Sequence, residues 1–191
     1  MEQFSQDDLT RFLASLDSHL TKPRCIVLIG GAAASLGYGI SRTTTDIDTL
    51  ESTADLKEAI RLARADTGLD VPFHKVGVWD APCDYEDRLR PIEMGLQKLG
   101  ILVPEKHDLA LMKVVRGQRN DQDAIEQIAN RVGLDMPTLV YRFKNDMTHA
   151  IGNHRFLVQN FLAVIEMLFG EHEADQVNSE LESDDRWSGT L

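Results

Sequence analysis

A short apolar run, Cys25-Ile26-Val27-Leu28-Ile29, stops at Gly30-Gly31 and gives way to Ala32-Ala33-Ala34-Ser35-Leu36. Branched side chains favour extended backbone and alanines favour helix, and two residues without a Cβ let the chain turn sharply between them. The stretch predicts a buried strand, a tight turn and a short helix whose first amide groups face outward at the end of a sheet. That unit sets the fold class as α/β (α+β) and excludes an all-helical or all-β chain.

The flanking pattern is consistent with this. Leu9, Phe12, Leu13, Leu16 and Leu20 recur at helical spacing after Ser5, predicting an amphipathic first helix over Ser5 to Leu20. Gly37-Tyr-Gly39 breaks the short second helix, and Thr43 to Leu50 reads as a strand. Leu56, Ile60 and Ala63 predict a helix stopped by Gly68, and Val71 to Trp79 predicts a third strand. Pro82 to Pro91 reads as a polar loop or short helix, and Leu99 to Val103 as another strand. A helix then runs through Leu109, Leu111, Met112 and Val115, followed by helices over Asp121 to Ala129, Met136 to Met147 and Phe156 to Phe169. The expected organisation is a first domain over 1–130, a helical C-terminal extension packed on it over 131–170, and a flexible acidic tail over 171–191.

Composition bears on partners. The 191 residues carry a net charge of −11, and Glu171 to Leu191 alone holds seven acidic residues and one basic residue. An acidic chain repels phosphate unless its bases are concentrated. Cys25 and Cys83 lack the spacing of a zinc site, and MEQFSQDDLTRF has no basic-then-apolar pattern, so a reduced cytoplasmic setting is expected. The longest apolar stretch, Cys25 to Leu36, falls short of the ~20 residues of a membrane helix, so no membrane role is expected. The apolar stripe of Phe156, Phe161, Ile165 and Leu168 has core periodicity, with a homo-oligomer through the C-terminal helices as its alternative.

Chemistry concentrates between Ile29 and Leu50. Asp46 and Asp48 stand two apart, so on a strand their carboxylates share a face while Ile47 points into the core. Such paired hard oxygen donors suit Mg²⁺ or Mn²⁺ shared with substrate phosphates. Taken alone, Asp46-Ile47-Asp48 reads better as a solvent-facing strand edge; Gly30, Gly31, Arg42 and Thr44 around it reverse that and favour a site. Farther on, Lys113 and Arg116 share one side of a helix and Arg119 follows. Those cations face a polyanion or form a solvated helix face, with Asp121 and Asp123 pairing to Arg119 or capping the next helix. His107, near that helix's start, reads as a surface or capping residue, and Trp79 and Tyr85 as packing anchors.

The stretch Gly30-Gly31 through Arg42-x-Thr44-x-Asp46-Ile47-Asp48 resembles the signature of the nucleotidyltransferase superfamily, in particular the AbiEii-like toxin branch and its DUF6036-type relatives. Asp108-Leu109 through Lys113, followed by Arg119-x-Asp121, resembles that family's second motif. The resemblance implies a small mixed sheet flanked by helices, with a helical C-terminal half. It also implies that Gly30, Gly31, Arg42, Thr44, Lys113 and Arg116 contact a nucleoside triphosphate, that Asp46 and Asp48 hold metal, and that Asp121 supports the site beside Lys113. A third carboxylate completes the metal site in many members; Asp80 is the first candidate here and Asp84 the second. The implied activity is transfer of a nucleoside monophosphate to an RNA end, such as tRNA, or to a protein hydroxyl. A toxin–antitoxin or phage-defence role with an antitoxin partner is part of that implication. The alternative is a catalytically degenerate module that binds nucleotide or a partner protein.

Overall fold

Ser5 starts the first helix, α1 (Gln6–His19), through a reciprocal cap. The Ser5 N–H donates to the Asp8 carboxylate at 3.0 Å and the Asp8 N–H donates to Ser5 Oγ at 3.2 Å. The computed structural model describes residues 2–77, 81–150 and 152–188, which divide into two compact units.

The first unit comprises residues 1–77 and 88–104. After α1 come β1 (Arg24–Ile29), α2 (Gly30–Tyr38), β2 (Ile47–Thr49), α3 (Lys57–Thr67), β3 (Phe73–Lys75), β4 (Arg90–Pro91) and β5 (Leu99–Val103). The strands form one mixed sheet in the order β3-β2-β1-β5-β4, the small sheet with flanking helices that the sequence predicts. β1 is central because its side chains are apolar on both faces: Ile26, Val27 and Leu28 are all buried. It pairs parallel to β5 and antiparallel to β2, with Ile29 opposite Asp48. Asp17, near the end of α1, clamps the start of β5 by accepting the N–H groups of Gln97, Lys98 and Leu99 at 3.0, 2.7 and 2.7 Å.

Two strands are shorter than their sequence pattern. β2 does not extend back to Thr43, because Thr44 exchanges both backbone hydrogen bonds with Phe4, at 2.7 and 3.0 Å. β3 begins only at Phe73, since the Val71 carbonyl accepts the Arg64 guanidinium; Trp79 lies outside the described residues.

The second unit comprises residues 78–87 and 105–191. A 3-10 turn over Tyr85–Arg88 spans its junction with the first, and its helices are α4 (Lys106–Arg116), α5 (Arg119–Val132), α6 (Met136–Asp146), α7 (His154–Phe169) and α8 (Glu171–Glu182). The expected boundary at residue 130 is corrected: it would cut α5, whereas α4 and α5 share a core with the later helices. The expected flexible tail is corrected too. Ala174, Val177 and Leu181 recur at helical spacing and are buried, so α8 is an amphipathic helix with its acids facing solvent. Trp187 is fully buried; its indole stacks on Phe143 at 4.7 Å and donates to the Lys144 carbonyl at 3.1 Å. Phe143 stacks in turn on Phe161 at 3.9 Å, whereas Phe156 of the predicted stripe is exposed. Among the described residues no helix is long and apolar enough to cross a membrane.

Candidate functional site

In the first unit the strand–turn–helix and the acidic segment meet. Gly30 adopts φ +66°, the left-handed region that a residue with a Cβ enters at a cost, and α2 starts there. A methyl group on Gly30 would lie 3.4 Å from Asp48 Oδ2, and one on Gly31 would lie 2.5 Å from Thr44 Oγ1. Glycine at 31 is therefore a packing requirement, and Asp48 and Thr44 both stand against the turn.

Thr44 is buried and held by its pairing with Phe4, and its hydroxyl donates to the Asp46 carbonyl at 3.3 Å. Ile47 is fully buried and anchors the segment, with Asp46 and Asp48 half-buried on either side of it. The alternation expected of these three residues is present, although Asp46 lies just before β2 rather than within it. Arg42, half-buried, precedes Thr44 by two residues.

One neighbour was not visible from sequence spacing. β2 and β3 pair in parallel with Asp48 beside His74, and residues in register on adjacent strands share a face of the sheet. The exposed His74 therefore stands next to Asp48. Only strand pairing reveals this, because the two residues lie far apart along the chain. Among the described residues no three His, Cys, Asp or Glu side chains are grouped to hold a metal ion. Asp80, the first candidate for a third carboxylate, lies outside the described residues, and Asp84 belongs to the second unit.

In the second unit the cationic helix is built around a buried acid. Asp121 is 1% exposed; it accepts the Arg116 Nε–H at 2.7 Å, and Lys113 Nζ stands 3.6 Å away. Burial alone would raise the Asp121 carboxyl, but the Arg116 hydrogen bond and the Lys113 and Arg116 charges outweigh it and hold the group below its ordinary range. Lys113 is itself buried, which removes the solvated-face reading for that residue, while Arg116 remains largely exposed. Of the alternatives for Asp121, pairing with Arg119 or capping the next helix, the first gives way to pairing with Arg116 and Lys113. The physical reason is Gly117, at φ +59°, which ends α4 against Asn160; Arg119 then begins α5. Asn160 completes that end by donating to the Val114 carbonyl at 3.1 Å.

His107 is buried rather than on the surface. Its Nε2 accepts the Asp135 N–H at 2.9 Å, which leaves Nδ1 to donate to Glu105 at 3.0 Å and defines a neutral tautomer. Glu105, not His107, caps α4, and Arg142 bridges Glu105 and the fully buried Asp108. Burial raises the Glu105 carboxyl, but hydrogen bonds from the His107 side chain, from Arg142 and from the His107 backbone N–H outweigh it and bring it down to about 2.

A family model described as "Nucleotidyltransferase of unknown function (DUF6036)" matches residues 7–166. No match was found among curated proteins or among solved structures.

Proposed function

The chain belongs to the DUF6036 family of nucleotidyltransferases of unknown function, and we propose that it transfers a nucleoside monophosphate from a nucleoside triphosphate to an acceptor hydroxyl, using the Gly30–Gly31 turn and the Asp46–Asp48 segment. One observation carries the proposal. The chain directs Asp48 and Thr44 onto the same glycine turn that opens α2, so the Asp48 carboxylate stands beside the start of that helix.

The first amides of α2 and the positive end of its dipole favour a phosphate oxygen. Gly31 lets Thr44 pack directly on the turn, since any side chain there would collide with it. Ile47 fixes the segment in the core, so Asp46 and Asp48 are held in place without depending on ligand for their position. The donor set fits a hard divalent cation such as Mg²⁺ or Mn²⁺, with Asp46 and Asp48 as its protein ligands and substrate phosphates as the remainder. When bound, that ion supplies charge neutralisation at the transferred phosphate. The phosphate-contact role that the resemblance implies for Lys113 and Arg116, with Asp121 supporting them, is tested separately: weaker triphosphate binding by folded Lys113→Ala supports it, and unchanged binding leaves Lys113 as the buried partner of Asp121.

The acceptor is an RNA 3′ end or a protein hydroxyl, and the experiment separates them. The protein is incubated with each α-³²P-labelled nucleoside triphosphate and Mg²⁺, together with total RNA or total protein, and calorimetry measures triphosphate binding with and without the metal. Metal-dependent binding with label transfer to one acceptor class is expected, and both Asp46→Asn and Asp48→Asn abolish transfer. Metal-dependent binding without transfer to either class identifies the degenerate, nucleotide-binding module instead. Absence of both overturns the proposal.

A further inference from the structure

The second unit holds a thiol–imidazole pair that the nucleotide site does not use. Cys83 Sγ lies 3.4 Å from His149 Nδ1, within the range of a sulfur hydrogen bond, and both side chains are exposed. The pair is built by the backbone: the Cys83 N–H donates to the Asp146 carbonyl at 2.9 Å, which fastens the Cys83 loop to the end of α6, three residues before His149. Cys83 and His149 line a cavity of about 290 Å³ whose other walls include Tyr85 and the carboxylates of Asp84, Glu86 and Asp87. Among the described lining residues there is no lysine or arginine.

We propose that Cys83 is a covalent modification site at which His149 takes the thiol proton, and that it accepts small uncharged soft electrophiles, peroxides among them, while its acidic rim repels anionic ones. The thiolate is the reacting form, and an imidazole at hydrogen-bond distance generates it in place. With a peroxide, the Cys83 proton passes to His149 Nδ1, the sulfur forms an S–O bond and the O–O bond breaks. The departing oxygen leaves with the electron pair and is protonated by the imidazolium, so the thiol is oxidised to a sulfenic acid and the peroxide is reduced. The cavity lies at the small end for ligand sites, which limits the electrophile to a few heavy atoms. Repulsion by three carboxylates lowers the local concentration of any anion. This site stands apart from the nucleotidyl-transfer proposal and does not depend on it.

Cys25 is an internal reference in the same chain. It is exposed, and among the described residues no imidazole stands at hydrogen-bond distance from it; partial burial and the Glu51 charge push its thiol up. The full-length protein is treated at neutral pH with iodoacetamide and, separately, with iodoacetate, and peptide mass spectrometry follows each cysteine. These reagents have the same leaving group and similar size and differ in charge. Iodoacetamide is expected to alkylate Cys83 about tenfold or more faster than Cys25, and His149→Asn, whose amide preserves a polar contact but takes no proton, is expected to remove that advantage. Iodoacetate is expected to lag at Cys83 by about tenfold, and Asp84→Asn with Asp87→Asn narrows the lag. Asparagine suits position 84, where φ is +56°. Circular dichroism confirms that the variants fold. An unchanged Cys83 rate in folded His149→Asn overturns the base role, and equal rates for the two reagents at Cys83 overturn the charge selection.

Discussion

The two units handle charge in opposite ways. The first holds twelve acidic and eleven basic residues, the second nineteen acidic and nine basic, so nearly all of the net charge of −11 belongs to the second. The near-neutral unit leaves Asp46 and Asp48 half-exposed, with Asp48 against a glycine turn. The acidic unit instead buries key carboxylates and surrounds them with cations: Asp121 with Arg116 and Lys113, and Glu105 and Asp108 with Arg142. The difference separates two uses of an acid. A buried, paired carboxylate is costly to disturb, whereas a half-exposed carboxylate is open to solvent, and under the proposed function it is there that ligand binds.

Mutations break or sharpen that contrast. The largest expected effect is truncation after Gly170, which removes Leu181 and Trp187 from the core. Loss of a buried tryptophan alone costs about 3–5 kcal/mol, so thermal denaturation is expected to show the second unit unfolded or nearly so. A truncated protein with an unchanged melting temperature would return the C-terminal segment to the status of a tail.

Next is Asp121→Ala, which leaves Lys113 buried without its carboxylate and is expected to cost about 3–5 kcal/mol in denaturant melts. Acid titration probes the same unit through Glu105. Its carboxyl is held at about 2 against an ordinary 4.5, so the unfolded chain binds this proton more tightly than the folded one. The contribution is complete above pH 4.5 and is lost as pH falls from 4.5 toward 2; up to about 3 kcal/mol disappears over that window. Glu105→Gln is expected to flatten that part of the stability profile. Smallest is the stability effect of Asp48→Asn, under about 1 kcal/mol, even though the same substitution is expected to abolish transfer. A large loss of stability there would place Asp48 with the structural acids and erase the contrast between units.

Local sequence was enough to determine the strand–turn–helix of β1 and α2, the capped start of α1 and the ends of α2 and α3 at glycines. In each case the decisive interactions lie within a few residues: side-chain branching, an Asp reaching back to its Ser, or a glycine taking a left-handed angle. The pairing of Asp46 and Asp48 about Ile47 was legible for the same reason, because alternation along an extended chain is a local property. Tertiary structure decided the rest. Thr44 left the expected strand because Phe4, from the N-terminus, took its hydrogen bonds. His74 came to stand beside Asp48 through strand register. Asp121 chose Arg116 and Lys113 because Gly117 closed α4 against Asn160 from α7. α8 looked like solvent-exposed chain because acids dominate its average composition, and its three apolar residues became a stripe only when the core formed by Phe143 and Phe161 was there to receive Trp187 after them. Hydrophobic burial and hydrogen-bond exchange act between segments distant in sequence, and such partners exist only after the chain has folded.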